Sequence, residues 1–331
     1  MARNSCMLAC AGVLSILPLG CCNTVRDRMT QRESATATSP NAPAPRAADD
    51  PSPSPAPAGP AKGPHGFSQQ TLMVAGAARS VGFYAPKGRG GRPPLVIAFH
   101  GTSGSSGDWI AGNDDPSGIQ GLADEHGFVV AAPQSRFLSQ SDWDHEYEGG
   151  DKYWETAAPR GPNPNANPDL MLVSAVMASA QSTFGVDPKR IYALGFSNGG
   201  FFAVLTAMTF RDKIAAFAEA GSGLVTCATT RSCKAQSRAT DCAAILRAAG
   251  CSCSGAEKPA TIPASGRLVP GLMGHNNRDD VVSSVYSCAL HQRMKSLGYD
   301  AEVMIGDAEG HGFPEDFLIR AWSFFAKRQL P

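Results

Sequence analysis

Arg190-Ile191-Tyr192-Ala193-Leu194-Gly195-Phe196-Ser197-Asn198-Gly199-Gly200-Phe201-Phe202-Ala203-Val204-Leu205-Thr206-Ala207-Met208 is the most informative run of the chain. Its first part is a short apolar segment that stops at a glycine, the pattern of a buried parallel strand. Its last part begins a helix directly after Gly200. Between them lies G-x-S-x-G, which says little by itself but gains meaning from a strand before and a helix behind. In that setting Ser197 occupies a tight, strained turn with its hydroxyl above the sheet edge, and glycines two residues to either side let strand and helix come close. The new helix also points the partial positive charge of its N-terminus at any oxyanion formed there. Ser197 is therefore expected to be a nucleophile rather than a plain turn serine.

Working outward, apolar runs alternate with helical patterns. Pro94 to Gly101, Phe128 to Pro133, Ile214 to Ala218, Leu268 to His275 and Ala301 to Ile305 read as strands. Ile119 to Glu125, Asp169 to Thr183, Gly199 to Thr209, Ser283 to Leu297 and Glu315 to Lys327 read as helices. Such alternation predicts an α/β fold, a mostly parallel sheet with helices on both faces. A hairpin of Gln70 to Ala75 with Ala78 to Tyr84 is expected to start the sheet, and no regular repeat is present.

A serine hydroxyl needs a base, and the base needs an acid to orient it. His311, in Gly310-His311-Gly312-Phe313-Pro314 after the last predicted strand, is the expected base; His291 sits inside a helical pattern. The loop leaving the strand at His275 carries Asp279 and Asp280, either of which could orient it, whereas Asp307 lies on the same connection as the histidine and is badly placed. The oxyanion donors are expected to be the backbone N–H groups of Asn198 and of Thr102, which follows His100-Gly101. His100 itself is read as a brace for that loop.

The rest of the composition bounds the setting. Twenty-nine basic and 29 acidic residues cancel, so nothing gathers nucleic acid, and 43% hydrophobic with 18% charged residues describes a globular chain. Residues 1–22 read as a signal peptide, with an apolar run too short to span a bilayer that ends in Leu19-Gly20-Cys21-Cys22. This resembles a bacterial lipobox with Cys21 as the lipidated residue, although Pro18 stands where leucine is usual. Residues 23–65 read as a tether, since nine of the 42 residues from Asn23 to Pro64 are proline. A catalytic domain would then occupy 66–331, at the cell envelope or outside the cell, touching membrane only through the lipid. Cys227, Cys233, Cys242, Cys251, Cys253 and Cys288 are expected to form disulfides, most of them stapling an insertion at 227–253; their pairing is open. No metal or other cofactor is expected.

These features together resemble the poly(3-hydroxybutyrate) depolymerase and feruloyl esterase (LpqC-like) group of α/β hydrolases. The resemblance rests on Leu95 to Thr102, on Val186-Asp187-Pro188-Lys189-Arg190-Ile191-Tyr192 running into the serine turn, on His275 to Val282, and on Gly310 to Pro314. It implies the α/β-hydrolase fold, cleavage of a small or oligomeric carboxylic ester through an acyl-enzyme, and a Ser197–His311–Asp279 triad, because the group's H-G-x-x-D-x-x-V pattern falls on Asp279. Asn276 departs from that pattern at the glycine. Trp109, Trp143, Tyr147 and Trp154 are candidate substrate platforms. With no binding module after the last helix, soluble esters are expected as substrates. A serine peptidase and a non-catalytic binding protein on the same scaffold are the competing readings.

Overall fold

The computed structural model describes residues 65–87, 91–110, 118–137, 152–156, 161–223, 238–248 and 262–331. The chain divides into two units, Met1–Ser54 and Pro55–Pro331, and every described residue belongs to the second. The signal-peptide and lipidation readings, Cys21 included, lie outside the described residues, as does the tether apart from His65.

Ten strands and seven helices are described. β1 (Gly66–Val74) and β2 (Ala77–Ala85) form the expected hairpin, in register from Gly66 opposite Ala85 to Val74 opposite Ala77. β3 (Leu95–Phe99), β4 (Val129–Pro133), β7 (Ile191–Phe196), β8 (Ala216–Ala220), β9 (Gly271–Arg278) and β10 (Ala301–Glu309) complete an eight-stranded sheet of order β1-β2-β4-β3-β7-β8-β9-β10. All pairings from β4 onward are parallel. Two short strands, β5 (Arg136–Phe137) and β6 (Lys152–Tyr153), make a separate ribbon.

Period-two alternation divides each buried strand between two cores. Leu95, Ile97 and Phe99 of β3 join one cluster with α3 (Pro168–Phe184), α4 (Asn198–Thr209) and α6 (Val285–Ser296). Val96 and Ala98 join the other with α1 (Gly107–Ile110), α2 (Ile119–His126) and α7 (Phe317–Phe325). Both faces are thus covered, which is why these strands read as continuous apolar runs. Helix ends follow local chemistry: Asn167 caps α3 by accepting from Asp169 N–H at 2.9 Å, Pro168 takes the first turn, and Gly185 closes the helix at φ 65°.

The insertion between β8 and β9 includes a short helix, α5 (Cys242–Ala248), which the polar composition did not suggest. A Cys242–Cys288 disulfide fastens it to α6. Cys227, Cys233, Cys251 and Cys253 lie outside the described residues.

Candidate active site

The expected triad and oxyanion positions gather at the C-terminal edge of the parallel strands, where open α/β sheets hold their ligands. Ser197 follows β7, Asp279 follows β9, His311 follows β10 and Thr102 follows β3. Ser197 sits at φ 54° and ψ −126°, a conformation a non-glycine residue adopts only when its surroundings impose it. Two close approaches impose it here. A Cβ on Gly195 would collide with the Gly199 carbonyl, and one on Gly199 with the carbonyl oxygens of Phe99 and His100.

His311 Nδ1 lies 2.6 Å from Asp279 Oδ2, the pairing expected from the sequence, while Asp280 is exposed. The other ring nitrogen, Nε2, is buried and has no hydrogen-bond partner among the described residues. The Phe196 ring packs on His311 with centroids 4.7 Å apart, and a Cβ on Gly221 would stand 3.0 Å from His311 Cε1, so the imidazole is held on the flanks of the serine turn. Burial of the Asp279 carboxyl opposes its ionisation, but hydrogen bonds from His275, His311 and the Val282 N–H outweigh this and hold it well below the usual carboxylate range. Its Oδ1 accepts from Val281 and Val282 N–H at 2.9 Å each. Asn276, the departure from the group's glycine, donates from Nδ2 to Gly312 O at 3.2 Å, tying the acid loop to the histidine loop.

The Thr102 loop lies against the serine, since a Cβ on Gly101 would stand 3.3 Å from Ser197 Cβ. His100 braces it from beneath. Its Nε2 accepts from Ser135 N–H at 3.1 Å, so Nδ1 carries the proton and donates to Gly101 O at 2.7 Å. Burial lowers the pKa of this imidazole, which favours the same neutral form. Asn198 opens α4, where a backbone N–H has no acceptor within the helix.

The aromatic platforms fare differently. Trp154 is fully buried and is corrected here to a core residue: it stacks on Phe202 at 4.9 Å, meets Phe99 edge-on at 5.3 Å and donates from Nε1 to His100 O at 2.9 Å. Its backbone is gripped by the Asn198 side chain, Trp154 N–H to Oδ1 at 2.8 Å and Nδ2 to Trp154 O at 3.3 Å. Below that grip is a buried ionic cluster in which Arg79 pairs with Asp169 at 2.8 Å, Arg136 with Glu155 at 2.7 Å, and Glu155 N–H with Asp169 at 2.9 Å. Trp109 is 5% exposed and offers only an edge, in the wall of a cleft of about 240 Å³ shared with Ile119, Phe313, Pro314 and Phe317. Trp143 and Tyr147 lie outside the described residues.

Phe313 escaped the sequence reading as a site residue. It is 37% exposed, packs on Phe196 at 4.8 Å and on Trp109 at 5.7 Å, and its place two residues after His311 was the signal available. Among the described residues, no group of three or more His, Cys, Asp or Glu side chains is gathered as a metal site.

The chain is similar to known esterases. A bifunctional acetylxylan esterase/xylanase of Neocallimastix patriciarum is 30% identical over 149 residues, 43% of this chain and 18% of that protein. Poly(3-hydroxyalkanoate) depolymerase C of Paucimonas lemoignei is 27% identical over 151 residues, 44% and 32% of the respective chains. Feruloyl esterase B of Thermothelomyces thermophilus is 29% identical over 136 residues, 39% of each. The chain thus spans less than half the length of these curated relatives. Among solved structures, an acetyl xylan esterase from Aspergillus awamori superposes with a TM-score of 0.54 at 17% identity, covering 78% of this chain and 99% of its own. An esterase from Thermogutta terrifontis gives 0.52 at 17%, covering 79% and 94%. The fold is that of the α/β hydrolases. The family model described as esterase PHB depolymerase matches residues 79–300, about two thirds of the sequence, taking in Ser197 and Asp279 and stopping short of His311; the chain belongs to the esterase PHB depolymerase family.

Proposed function

We propose that this chain is an exported serine esterase that hydrolyses carboxylic esters through an acyl-enzyme on Ser197. The observation that carries the reading is the 2.6 Å contact of His311 Nδ1 with Asp279, which leaves a buried, unpartnered Nε2 on a ring packed against Phe196, the residue before Ser197 at φ 54°. In this account Ser197 Oγ attacks the ester carbonyl as His311 Nε2 takes its proton. Asp279 holds the ring in the tautomer that can do so and stabilises the imidazolium that forms. The tetrahedral oxyanion faces the N–H groups of Asn198 and Thr102. Collapse expels the alcohol, protonated by His311, and a water activated by the same nitrogen then frees the acid.

Substrates are taken from the chemistry in the relatives' names: short acyl esters, hydroxyalkanoate oligomers and aromatic esters such as feruloyl sugars. The Trp109–Phe313 wall supports an apolar group at one side of the ester. Turnover of p-nitrophenyl acetate and butyrate, methyl ferulate and hydroxybutyrate oligomers should be detectable and lost in Ser197→Ala; rapid clearing of a polymer film with no turnover of any soluble ester overturns the substrate assignment. Residues 1–22 are proposed as a lipoprotein signal with Cys21 modified, 23–65 as a tether and 66–331 as the catalytic domain. The Cys242–Cys288 disulfide supports an oxidising location. Labelled fatty acid should tag the wild type and not Cys21→Ala; no label on either would mean a released enzyme.

A further inference from the structure

Glu219 of β8 has no part in the mechanism above, yet it is a carboxyl with 0% exposure close behind the site. On its strand Phe217 faces the cluster covered by α4 and α6, and period two turns Glu219 the same way. One carboxyl oxygen, Oε2, contacts Ser222 Oγ, and the other, Oε1, lies 2.9 Å from Ser287 Oγ on α6. Ser287 Oγ is also 2.9 Å from Ser222 O and 2.8 Å from His275 Nδ1. His275 Nε2 lies 2.8 Å from Val282 O and 3.3 Å from Asp279 Oδ2, the oxygen that His311 also contacts.

Counting protons restricts what this network can be. Val282 O and the Asp279 carboxylate only accept, so His275 Nε2 carries a proton. Ser222 O only accepts as well. With Glu219 ionised and His275 neutral, three lone-pair groups (Glu219 Oε1, Ser222 O and His275 Nδ1) would compete for the single Ser287 proton, inside a site where an unsatisfied polar contact costs most. One added proton ends the competition between Glu219 and His275 in either of two positions. On Glu219 it donates to Ser287 Oγ, which donates to His275 Nδ1. On His275 Nδ1 it donates to Ser287 Oγ, which donates to Glu219. The forms interconvert when the Glu219 proton passes to Ser287 Oγ as the Ser287 proton passes to His275 Nδ1, with no net gain or loss.

We propose that Glu219 and His275 hold one proton in common across Ser287, and that this buried pair is a positioning device for Asp279. The inference rests on the reading of Asp279 as the acid that orients His311. Burial, partly offset by hydrogen bonds from Ser222 and Ser287 and by the His275 charge, pushes the Glu219 carboxyl up to about 7, in keeping with a retained proton. On the face that Glu219 shares, α4 brings no titratable side chain, and α6 presents Ser287 while its Tyr286 packs on Phe201. On neighbouring strands, the Tyr192 hydroxyl of β7 donates to Arg328 O, and β9 brings His275. Beyond His275 stand Asp279 and then His311. The charge of the pair therefore reaches the triad directly through His275 Nε2–H and Asp279 Oδ2, and by way of Val282, which accepts from His275 and donates to Asp279.

The test follows the 15N resonances of His275 and the infrared band of a protonated buried carboxyl together across pH 5 to 9 on the full chain. The wild type should lose the carboxyl band and shift the His275 nitrogens at one common midpoint. Glu219→Gln, whose amide N–H replaces the protonated oxygen, should abolish both transitions, and Ser287→Ala should separate the midpoints. Independent midpoints in the wild type, or an unchanged His275 transition in Glu219→Gln, overturn the shared proton. In parallel, kcat against pH should carry one ionisation in the wild type that Glu219→Gln lacks, with KM within about two-fold. Identical profiles overturn the positioning role. A wild type that turns over no ester overturns the esterase reading instead, and the spectra still decide the pair.

Discussion

Replacing Trp154 separates a buried anchor from a substrate platform. The indole is fully enclosed between Phe99 and Phe202, and its Nε1–H donates to the carbonyl of His100, the residue that starts the Thr102 loop. Trp154→Phe keeps a ring in the stack but leaves that carbonyl without its donor, a desolvated polar group costing about 1 to 3 kcal/mol, and the smaller ring adds a void. Trp154→Ala removes the packing as well, for a total of at least about 4 kcal/mol against the ~3 to 5 kcal/mol usual for deleting a buried aromatic. The backbone grip of Asn198 on residue 154 survives both changes, so the loss is confined to the side chain. Urea unfolding monitored by far-UV circular dichroism should show the midpoint falling in that order with the denaturant slope unchanged, and kcat should fall while KM stays within about three-fold. An unfolding free energy within about 0.5 kcal/mol of wild type, accompanied by a rise in KM alone, would refute the buried placement and restore the platform.

Other consequences are as direct. Asp279→Asn should lower kcat by on the order of 10³-fold or more and Asp280→Asn by less than about three-fold in steady-state ester hydrolysis, because only Asp279 reaches His311. The folded state depresses the Asp279 pKa, so its stabilisation is complete above the unfolded carboxylate value of ~3.9 and is lost as pH falls below it. The stability gap between wild type and Asp279→Asn should therefore stay constant down to about pH 4 and begin to narrow below it, as urea midpoints from pH 7 down to 3 would record. Replacing Cys242 and Cys288 together by alanine releases a loop with a sequence separation of 46, which chain entropy values at about 4 kcal/mol; thermal or urea unfolding without reductant measures it.

How far the sequence reached depended on whether an interaction is local. The serine turn was legible because strand, glycines and helix are contiguous, and the core strands because burial on both faces leaves unbroken apolar runs such as Leu95 to Phe99. Asp279 was legible only together with the family pattern, since Asp280 beside it has identical chemistry and only burial and the contact with His311 distinguish them. Trp154 was misread because a polar, glycine-rich neighbourhood suggests exposure, whereas the ribbon of β5 and β6 and the ionic cluster of Arg79, Asp169, Arg136 and Glu155 fold that segment beneath His100. Those partners are up to 90 residues apart, and no period or motif joins them. Glu219 was hidden likewise, as a lone acid in an alanine-rich strand whose partners come from β9 and α6. Helix α5 escaped because its apolar side, Cys242, Ile245 and Leu246, is too short to show a period and is held in place by the disulfide to α6.

In the proposed reaction Ser197 is a nucleophile activated by His311. Incubating the protein with a fluorophosphonate and mapping the adduct by mass spectrometry tests it directly. One stoichiometric adduct on Ser197 is expected, formed in step with the loss of p-nitrophenyl acetate hydrolysis, absent from Ser197→Ala and slowed by on the order of 10³-fold in His311→Ala. An adduct on another residue, or ester turnover by Ser197→Ala at the wild-type rate, would contradict it.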